Sequence, residues 1–294
     1  MIWLVGNRGM LGAEVPRRLR ACNLEHAATD LDVDIADGRA LERFAAPLDL
    51  SWIVNCSAYT AVDRAEDEPE QAFRINAEGV RNLALAAHRK KAGLLHISTD
   101  YVFDGTKEGP YLEEDHPNPL GVYGRSKLQG EIYIRENWGR HIILRTAWLY
   151  GPGGNNFVRT MLRLFREREE VRVVADQWGS PTLAGDLADA ILQVITRDSV
   201  PYGTYHFTNE GRTNWFEFAR EIHDQAIRKG LLEKPVRIVP IQTEQYPTRA
   251  RRPANSCLCK DKIKETFGIP VRPWQAALAD CIERMAKDGG PARA

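Results

Sequence analysis

The sequence predicts an α/β fold, a doubly wound parallel sheet joined to a smaller C-terminal α/β lobe, and three observations carry that prediction. Residues 1–150 alternate short apolar runs with longer segments of helical period, the pattern of repeated strand–helix–strand units. A glycine-spaced turn stands between the first apolar run and the first helical segment, where such a unit passes from strand to helix. At roughly 150 residues per domain, 294 residues hold about two domains. The expected division is 1–150 for the sheet domain and 151–294 for a lobe partly interleaved with it.

The elements follow in order. Ile2–Val5, Trp52–Cys56, Leu94–Ser98 and Ile142–Arg145 are continuous apolar runs of strand length, as strands buried on both faces require, and Leu24–Asp30 is a further strand. Leu11–Arg20, Pro69–Arg89 and Tyr123–Asn137 place apolar residues three and four apart with charges opposite, so they are the covering helices. After Gly151-Pro-Gly-Gly154 the alternation loosens. The segment Phe157–Arg168 leads to a strand Val171–Val174, a helix Leu183–Thr196 and a strand Thr204–Thr208. A helix near Trp215–Lys229, a strand Val236–Val239, a terminal helix Trp274–Lys287 and a frayed tail Asp288–Ala294 complete the expectation.

Composition excludes several classes of function. Forty Lys plus Arg balance forty Asp plus Glu, so no global positive field holds a nucleic acid or an anionic membrane. Hydrophobic residues at 43% and charged residues at 27% are ordinary globular usage, unlike disordered or fibrous chains. Five cysteines form no CxxC pair or zinc-spaced cluster, and the seven histidines show no ligand spacing. The chain opens on Met1-Ile-Trp-Leu-Val5 without a basic and then apolar leader, and no apolar run reaches the roughly 20 residues of a membrane span. A reducing, cytoplasmic setting is expected, with neither nucleic acid nor membrane as partner.

The turn Gly6-Asn7-Arg8-Gly9-Met10-Leu11-Gly12 has a GxxGxxG spacing and opens a helix. Glycines there let the backbone turn tightly and approach a pyrophosphate, whose charge is met by free amides at the helix N-terminus. Asp30 lies eighteen residues beyond Gly12 at the end of the expected second strand, near the separation of about 20 at which an acid meets the adenine ribose. Asp32 and Asp34 are alternatives in the same loop, and Ile35 follows where an adenine could rest.

Tyr123 and Lys127 stand four apart on one helix face. A phenol of pKa about 10 is a poor acid–base group near neutrality, but an adjacent ammonium stabilises the phenolate and lowers that value. Thr99, in the run Ser98-Thr-Asp-Tyr101, closes the expected fourth strand, and ligands sit at the carboxyl ends of strands in an open parallel sheet. A hydroxyl there can donate to a carbonyl oxygen while the tyrosine supplies a proton, the electrophilic half of a carbonyl reduction.

Glycine turn, Ser/Thr, Tyr and Lys in this order resemble the extended short-chain dehydrogenase/reductase superfamily. Six blocks narrow the resemblance: Asn55-Cys-Ser-Ala-Tyr-Thr-Ala-Val-Asp63, Ser98-Thr-Asp-Tyr-Val-Phe-Asp-Gly105, Arg145-Thr-Ala-Trp-Leu-Tyr150, Asn155-Asn-Phe157, Asp176-Gln-Trp-Gly-Ser-Pro-Thr182 and Arg252-Pro-Ala-Asn-Ser256. They are similar to those of the dTDP-4-dehydrorhamnose reductase family, over about residues 1–285. The resemblance implies a Rossmann-type NAD(P)-binding domain and a sugar-nucleotide-binding lobe. It also implies reduction of the C4 ketone of dTDP-4-dehydro-L-rhamnose to dTDP-L-rhamnose with NADPH or NADH. In that reading Thr99 polarises the ketone, Tyr123 gives the proton, and Lys127 binds the nicotinamide ribose. Asp100, Tyr101 and Trp148 border the sugar, Asn155, Gln177 and Arg252 help hold the diphosphate, and Ala58 and Tyr59 lie along the cofactor.

Some members of that family hold magnesium at a dimer interface through glutamates. Glu14 matches one such position, but the glutamate expected around Gly185-Asp186 is missing, so no obligatory metal is expected; a homodimer stays open. Asp30 suits a free 2′-hydroxyl and Arg8 a 2′-phosphate, which tips the expectation slightly towards NADPH. Trp148 and Trp178 have a plainer reading as core aromatics, stronger for Trp178. Thr248-Arg-Ala-Arg-Arg252 reads as local phosphate capture, and Cys257 with Cys259 as strand alternation. A dehydratase of this fold would need a glutamate where Tyr101 stands; an epimerase would keep NAD bound through turnover. The remaining alternatives are a reductase of another nucleotide-linked 4-keto-deoxysugar and a regulatory subunit like the β subunit of methionine adenosyltransferase.

Overall fold

A computed structural model describes residues 1–289. Its first half runs β1 (Ile2–Val5), α1 (Met10–Ala21), β2 (His26–Thr29), α2 (Gly38–Ala45), β3 (Trp52–Asn55), α3 (Val62–Ala65) and α4 (Pro69–Phe73). A π-helical stretch, Arg74–Gly79, joins α4 to α5 (Val80–Lys90), and β4 (Gly93–Thr99), α6 (Val122–Asn137) and β5 (His141–Thr146) follow. The second half comprises β6 (Leu149–Tyr150), α7 (Phe157–Glu167), β7 (Glu170–Val174), β8 (Trp178–Gly179), β9 (Thr182–Leu183) and α8 (Ala184–Ile195). It ends with β10 (Gly203–His206), β11 (Thr213–Asn214), α9 (Trp215–Arg228), β12 (Arg237–Ile241), α10 (Asp261–Phe267) and α11 (Trp274–Gly289).

Six strands form one all-parallel sheet in the order β10-β5-β4-β3-β1-β2. The chain moves outward from β1 to β2 and then crosses back to β3 on the other side, so the strand order reverses between β1 and β3. That switch point is where a doubly wound sheet opens a crevice. Successive side chains of a strand face opposite sides, and β1 shows the consequence. Ile2 and Leu4 pack with Leu11, Val15 and Leu19 of α1 and Leu187, Ile191 and Val194 of α8, whereas Trp3 and Val5 pack with Leu41, Leu83 and Ala87 across the sheet. Both faces being covered is why this strand contains no polar residue.

β10 lies beyond residue 150 yet closes the sheet edge against β5. α8, also from the second half, covers the same face as α1. The remaining lobe has its own core, in which Leu162 and Phe165 of α7, Val171 and Val173 of β7, Phe218 and Ile222 of α9, and Trp274 and Leu278 of α11 meet. β7 pairs with β12 in parallel, β6 with β9, and β8 with β11 antiparallel.

Three helices, α2, the single turn α3 and α10, depart from the sequence expectation, which left them as loops. α2 begins where Asp37 accepts the amides of Arg39 (2.9 Å) and Ala40 (3.1 Å), an N-cap that satisfies two otherwise orphaned donors. α10 is seven residues ending at Gly268, whose φ of 65° a glycine adopts freely. The single helix expected over Pro69–Arg89 is interrupted by the π stretch. Of the expected tail Asp288–Ala294, residues 290–294 lie outside the described residues, and Asp288 and Gly289 continue α11. Among the described residues no helix is long and apolar enough to cross a membrane.

Candidate functional site

The carboxyl ends of β1, β3, β4 and β5 open into one cleft of about 970 Å³. Its floor is the glycine turn. Gly6 has φ 81°, and a Cβ there would lie 2.7 Å from the Ser57 nitrogen; a Cβ on Gly12 would lie 1.9 Å from the Gly6 carbonyl oxygen. Only glycines let β1, the β3 loop and α1 approach this closely. Gly12 supports the turn from behind, while Gly6, Arg8, Gly9, Met10 and Leu11 line the cleft. Gly9 is the N-cap of α1 and offers no side-chain cap, so the first amides of the helix are left for an anion. This cradle fits the pyrophosphate of a dinucleotide.

The three aspartates left open by the sequence separate here. Asp30 lines the cleft and accepts the Arg8 amide (2.9 Å) and the Leu31 amide (3.0 Å), tying the glycine turn to the end of β2. Asp34 also lines it, pairing with Arg74 and accepting the Ala36 amide (2.9 Å). Asp32 instead accepts the Asp30 amide (2.8 Å). Ile35, Ala58 and Tyr59 lie on the same wall. Tyr59 donates its amide to Asn76 Oδ1 (2.9 Å), and Asn76 returns Nδ2 to the Tyr59 carbonyl (3.0 Å) and to Ser126 Oγ (3.0 Å). Asn76 belongs to the π stretch, so that irregularity clamps the β3 loop against α6.

Thr99 ends β4 and is buried; its hydroxyl donates to Asp100 Oδ1 (2.9 Å) and accepts the Tyr101 amide (3.2 Å). Tyr123, in the first turn of α6, lines the cleft beside Thr99 and meets the Tyr101 ring edge to face at 5.5 Å. Lys127, one turn deeper, is 1% exposed and lines the cleft. Its Nζ donates to the Ile97 carbonyl (2.6 Å) and stands 3.2 Å from His96 Nε2. The expected lowering of the phenol by lysine needs correction. Burial pushes Tyr123 up to about 12, the nearby Thr99 hydroxyl opposing it and the Asp100 charge adding to it, and Lys127 has no part in the shift. The Lys127 nitrogen is engaged deeper in the fold, and burial brings its pKa down to about 8. A phenol held neutral is nonetheless the form that donates a proton.

Asp100 is 2% exposed, burial raises it to about 6, and its Oδ2 has no partner among the described residues. It lies between the main cleft and a small adjoining hollow bounded by Tyr101, Trp148, Gln177, Trp215 and Arg252. Trp148 combines both readings of its sequence, lining the cleft while stacking on Trp215 at 3.5 Å. Its φ of 48° is rare for a bulky side chain. Trp178 carries Arg212 over its ring at 4.4 Å and does not line the cleft. Asn155 is exposed at the mouth, and buried Gln177 donates to Thr243 Oγ1 (3.0 Å).

Arg252 borders the hollow, but its two terminal nitrogens already grip Asp63 at 2.5 and 2.6 Å. Arg249 pairs with Asp67, so acids near α3 answer this basic stretch. Glu14 accepts from Arg18 (2.7 Å) and Arg284 (2.8 Å); burial would raise its pKa, but the two guanidiniums hold it low.

Behind the triad, Glu131 and Arg145 form a bidentate pair at 2.9 and 2.7 Å with both side chains enclosed, and Ser98 donates to the same carboxylate (2.6 Å). Burial opposes the charge on Glu131, yet Arg145 draws its pKa down to about 2. Sequence reasoning assigned no role to Glu131, Arg74, Asn76, Asn55 and His96. Glu131 had a signal, lying one turn beyond Lys127. Asn55 and His96 had another, as polar residues inside otherwise apolar strands.

The chain matches the family model described as RmlD substrate binding domain over residues 1–287. It is 49% identical over 230 residues to a dTDP-4-dehydrorhamnose reductase of Aggregatibacter actinomycetemcomitans, covering 77% of this chain and 78% of that one. A solved dTDP-4-dehydrorhamnose reductase from Clostridium acetobutylicum superposes with TM-score 0.91 at 40% identity, over 97% of this chain and 99% of that one. Another, from Bacillus anthracis in complex with NADP, has TM-score 0.89 at 37% identity, over 96% and 98%.

Proposed function

The chain belongs to the RmlD substrate binding domain family, that of the dTDP-4-dehydrorhamnose reductases, and from that premise we propose that it is an NAD(P)H-dependent oxidoreductase reducing the C4 ketone of dTDP-4-dehydro-L-rhamnose to dTDP-L-rhamnose. The observation that carries this reading is the convergence of Thr99, Tyr123 and Lys127 on the lining of one cleft whose floor is an uncapped helix N-terminus. A bound reduced nicotinamide supplies the hydride. Thr99 and Tyr123 meet the ketone oxygen, the hydroxyl orienting it and the neutral phenol delivering the proton as charge develops. Lys127 serves the nicotinamide ribose, Asp100, Tyr101 and Trp148 border the sugar, and Asn155, Gln177 and Arg252 serve the diphosphate.

Arg8 and Arg74 stand at the acidic end of the cleft, which supports a 2′-phosphate there and so NADPH over NADH. In this reading residues 1–150 bind the cofactor and 151–294 chiefly the nucleotide sugar, and the enzyme works in the cytoplasm without an obligatory metal. Purified protein is incubated with NADPH and a panel of nucleotide-linked 4-ketohexoses, and products are identified by NMR. NADPH loss with formation of dTDP-L-rhamnose is expected. Failure to consume NADPH with any ketone would overturn the enzymatic reading in favour of a binding subunit.

A further inference from the structure

Beneath Lys127 lies a chain of hydrogen bonds whose donors and acceptors can be assigned from one fixed point. The Ser57 backbone N–H can only donate, and it meets Asn55 Oδ1 at 3.0 Å, with Ser57 Oγ donating to the same oxygen at 2.6 Å. Turning the amide over would set two donors against each other, so Asn55 Nδ2 is the group facing His96 Nδ1 at 2.9 Å. Nδ1 must therefore accept, and the neutral imidazole carries its proton on Nε2. That N–H points at Lys127 Nζ, 3.2 Å away. An ammonium has no lone pair to receive it; an amine has one, and still donates to the Ile97 carbonyl at 2.6 Å.

We propose that Asn55 and His96 form a resting position for Lys127 as a neutral amine, and that protonation of Lys127 breaks the His96 contact and turns Nζ towards the cofactor side of the cleft. The consequence for cofactor binding rests on the reading of Lys127 as the ribose-binding residue; the tautomer does not. The charged surroundings are accounted for. From α6 itself Glu131 favours the ammonium, but Arg145 of β5 and Arg135 share that carboxylate. From the β3 loop only the Cys56 thiol faces Lys127, and from β4 only His96, which burial holds well below its usual value. Burial of Lys127 brings its exchange to about pH 8. The facing Nε2–H acts in the same direction. On protonation the proton comes from water, and no other bond is made or broken.

His96 is thus a positioning residue acting through Lys127, and two measurements on the full chain test it. Long-range ¹H–¹⁵N correlation on histidine-labelled protein reads the ring directly, the His96 signal being the one lost in His96→Gln. A proton on Nε2 and none on Nδ1 is expected; the opposite tautomer or a doubly protonated ring overturns the proposal. Calorimetry of NADPH binding at about pH 9, between the buried and ordinary lysine values, in buffers of different ionisation heat, should show uptake of nearly one proton per site. In Asn55→Asp the carboxylate accepts from Nδ1–H, inverting the tautomer so that Nε2 accepts from an ammonium already formed, and the uptake should be lost. Wild-type binding without proton uptake, or an unchanged uptake in Asn55→Asp, also overturns it. Both readouts are independent of ketone reduction, so failure here leaves the proposed reaction standing.

Discussion

Glu131→Gln removes the charge from the enclosed pair behind the triad while preserving the side chain's shape. Arg145 is 1% exposed and makes its bidentate contact to this carboxylate, so the substitution leaves a guanidinium buried with its charge unanswered. Breaking a buried pair by deleting one partner typically costs about 3–5 kcal/mol. The titration gives a figure of the same size: lowering the carboxyl from 4.5 to about 2 corresponds to roughly 3 kcal/mol of stability. Because the folded value lies below the unfolded one, that contribution is complete above pH 4.5 and is lost as pH falls towards about 2. Thermal unfolding near pH 7 should show Glu131→Gln melting roughly 5–8 °C below wild type for a chain of 294 residues. Glu131→Gln with Arg145→Met should recover most of the loss, since no buried charge is then left alone. A single variant within about 1 kcal/mol of wild type, or a double variant worse than the single, would refute the reasoning.

Tyr123→Phe should lower kcat by roughly 10²–10⁴ while NADPH binding stays near wild type, because only the proton donor is lost; turnover at the wild-type rate sinks the assignment. Lys127 has a folded pKa below its unfolded value, so the unfolded chain binds the extra proton and stability rises with pH across the window from about 8 to 10.5. Wild type should therefore gain roughly 3 kcal/mol relative to Lys127→Met over that window in urea unfolding, and a difference flat with pH contradicts it. Arg252→Ala should raise KM for the nucleotide sugar roughly tenfold or more if the guanidinium shares itself between Asp63 and a phosphate. An unchanged KM would confine Arg252 to its Asp63 pair.

β1, β3, β4 and β5 were legible because they are almost wholly buried and read as mainly apolar runs, broken by polar residues such as Asn55 and His96, whereas β2 is partly exposed and carries His26 and Thr29. β10 was legible as a strand but not as a sheet member, since its pairing with β5 joins residues far apart in sequence. α2 escaped because its eight residues are too short a run to show a helical period, although Asp37 offered a capping signal. The triad was legible because its chemistry rests on a four-residue spacing and a strand end. Asn76 was not: a π turn leaves no mark on a three- and four-residue period, yet it brings Asn76 against both Tyr59 and Ser126. Nor could the sequence reveal that Arg252 is held by Asp63, nearly two hundred residues earlier.

The central claim is that one cleft sets a hydride donor against a sugar ketone whose oxygen is met by Tyr123 and Thr99. Turnover of dTDP-4-dehydro-L-rhamnose with NADPH carrying deuterium at both C4 positions of the nicotinamide tests it directly. Deuterium should appear at C4 of the sugar and nowhere else, in proportion to NADPH consumed. Product free of deuterium, or label at another carbon, would contradict the account.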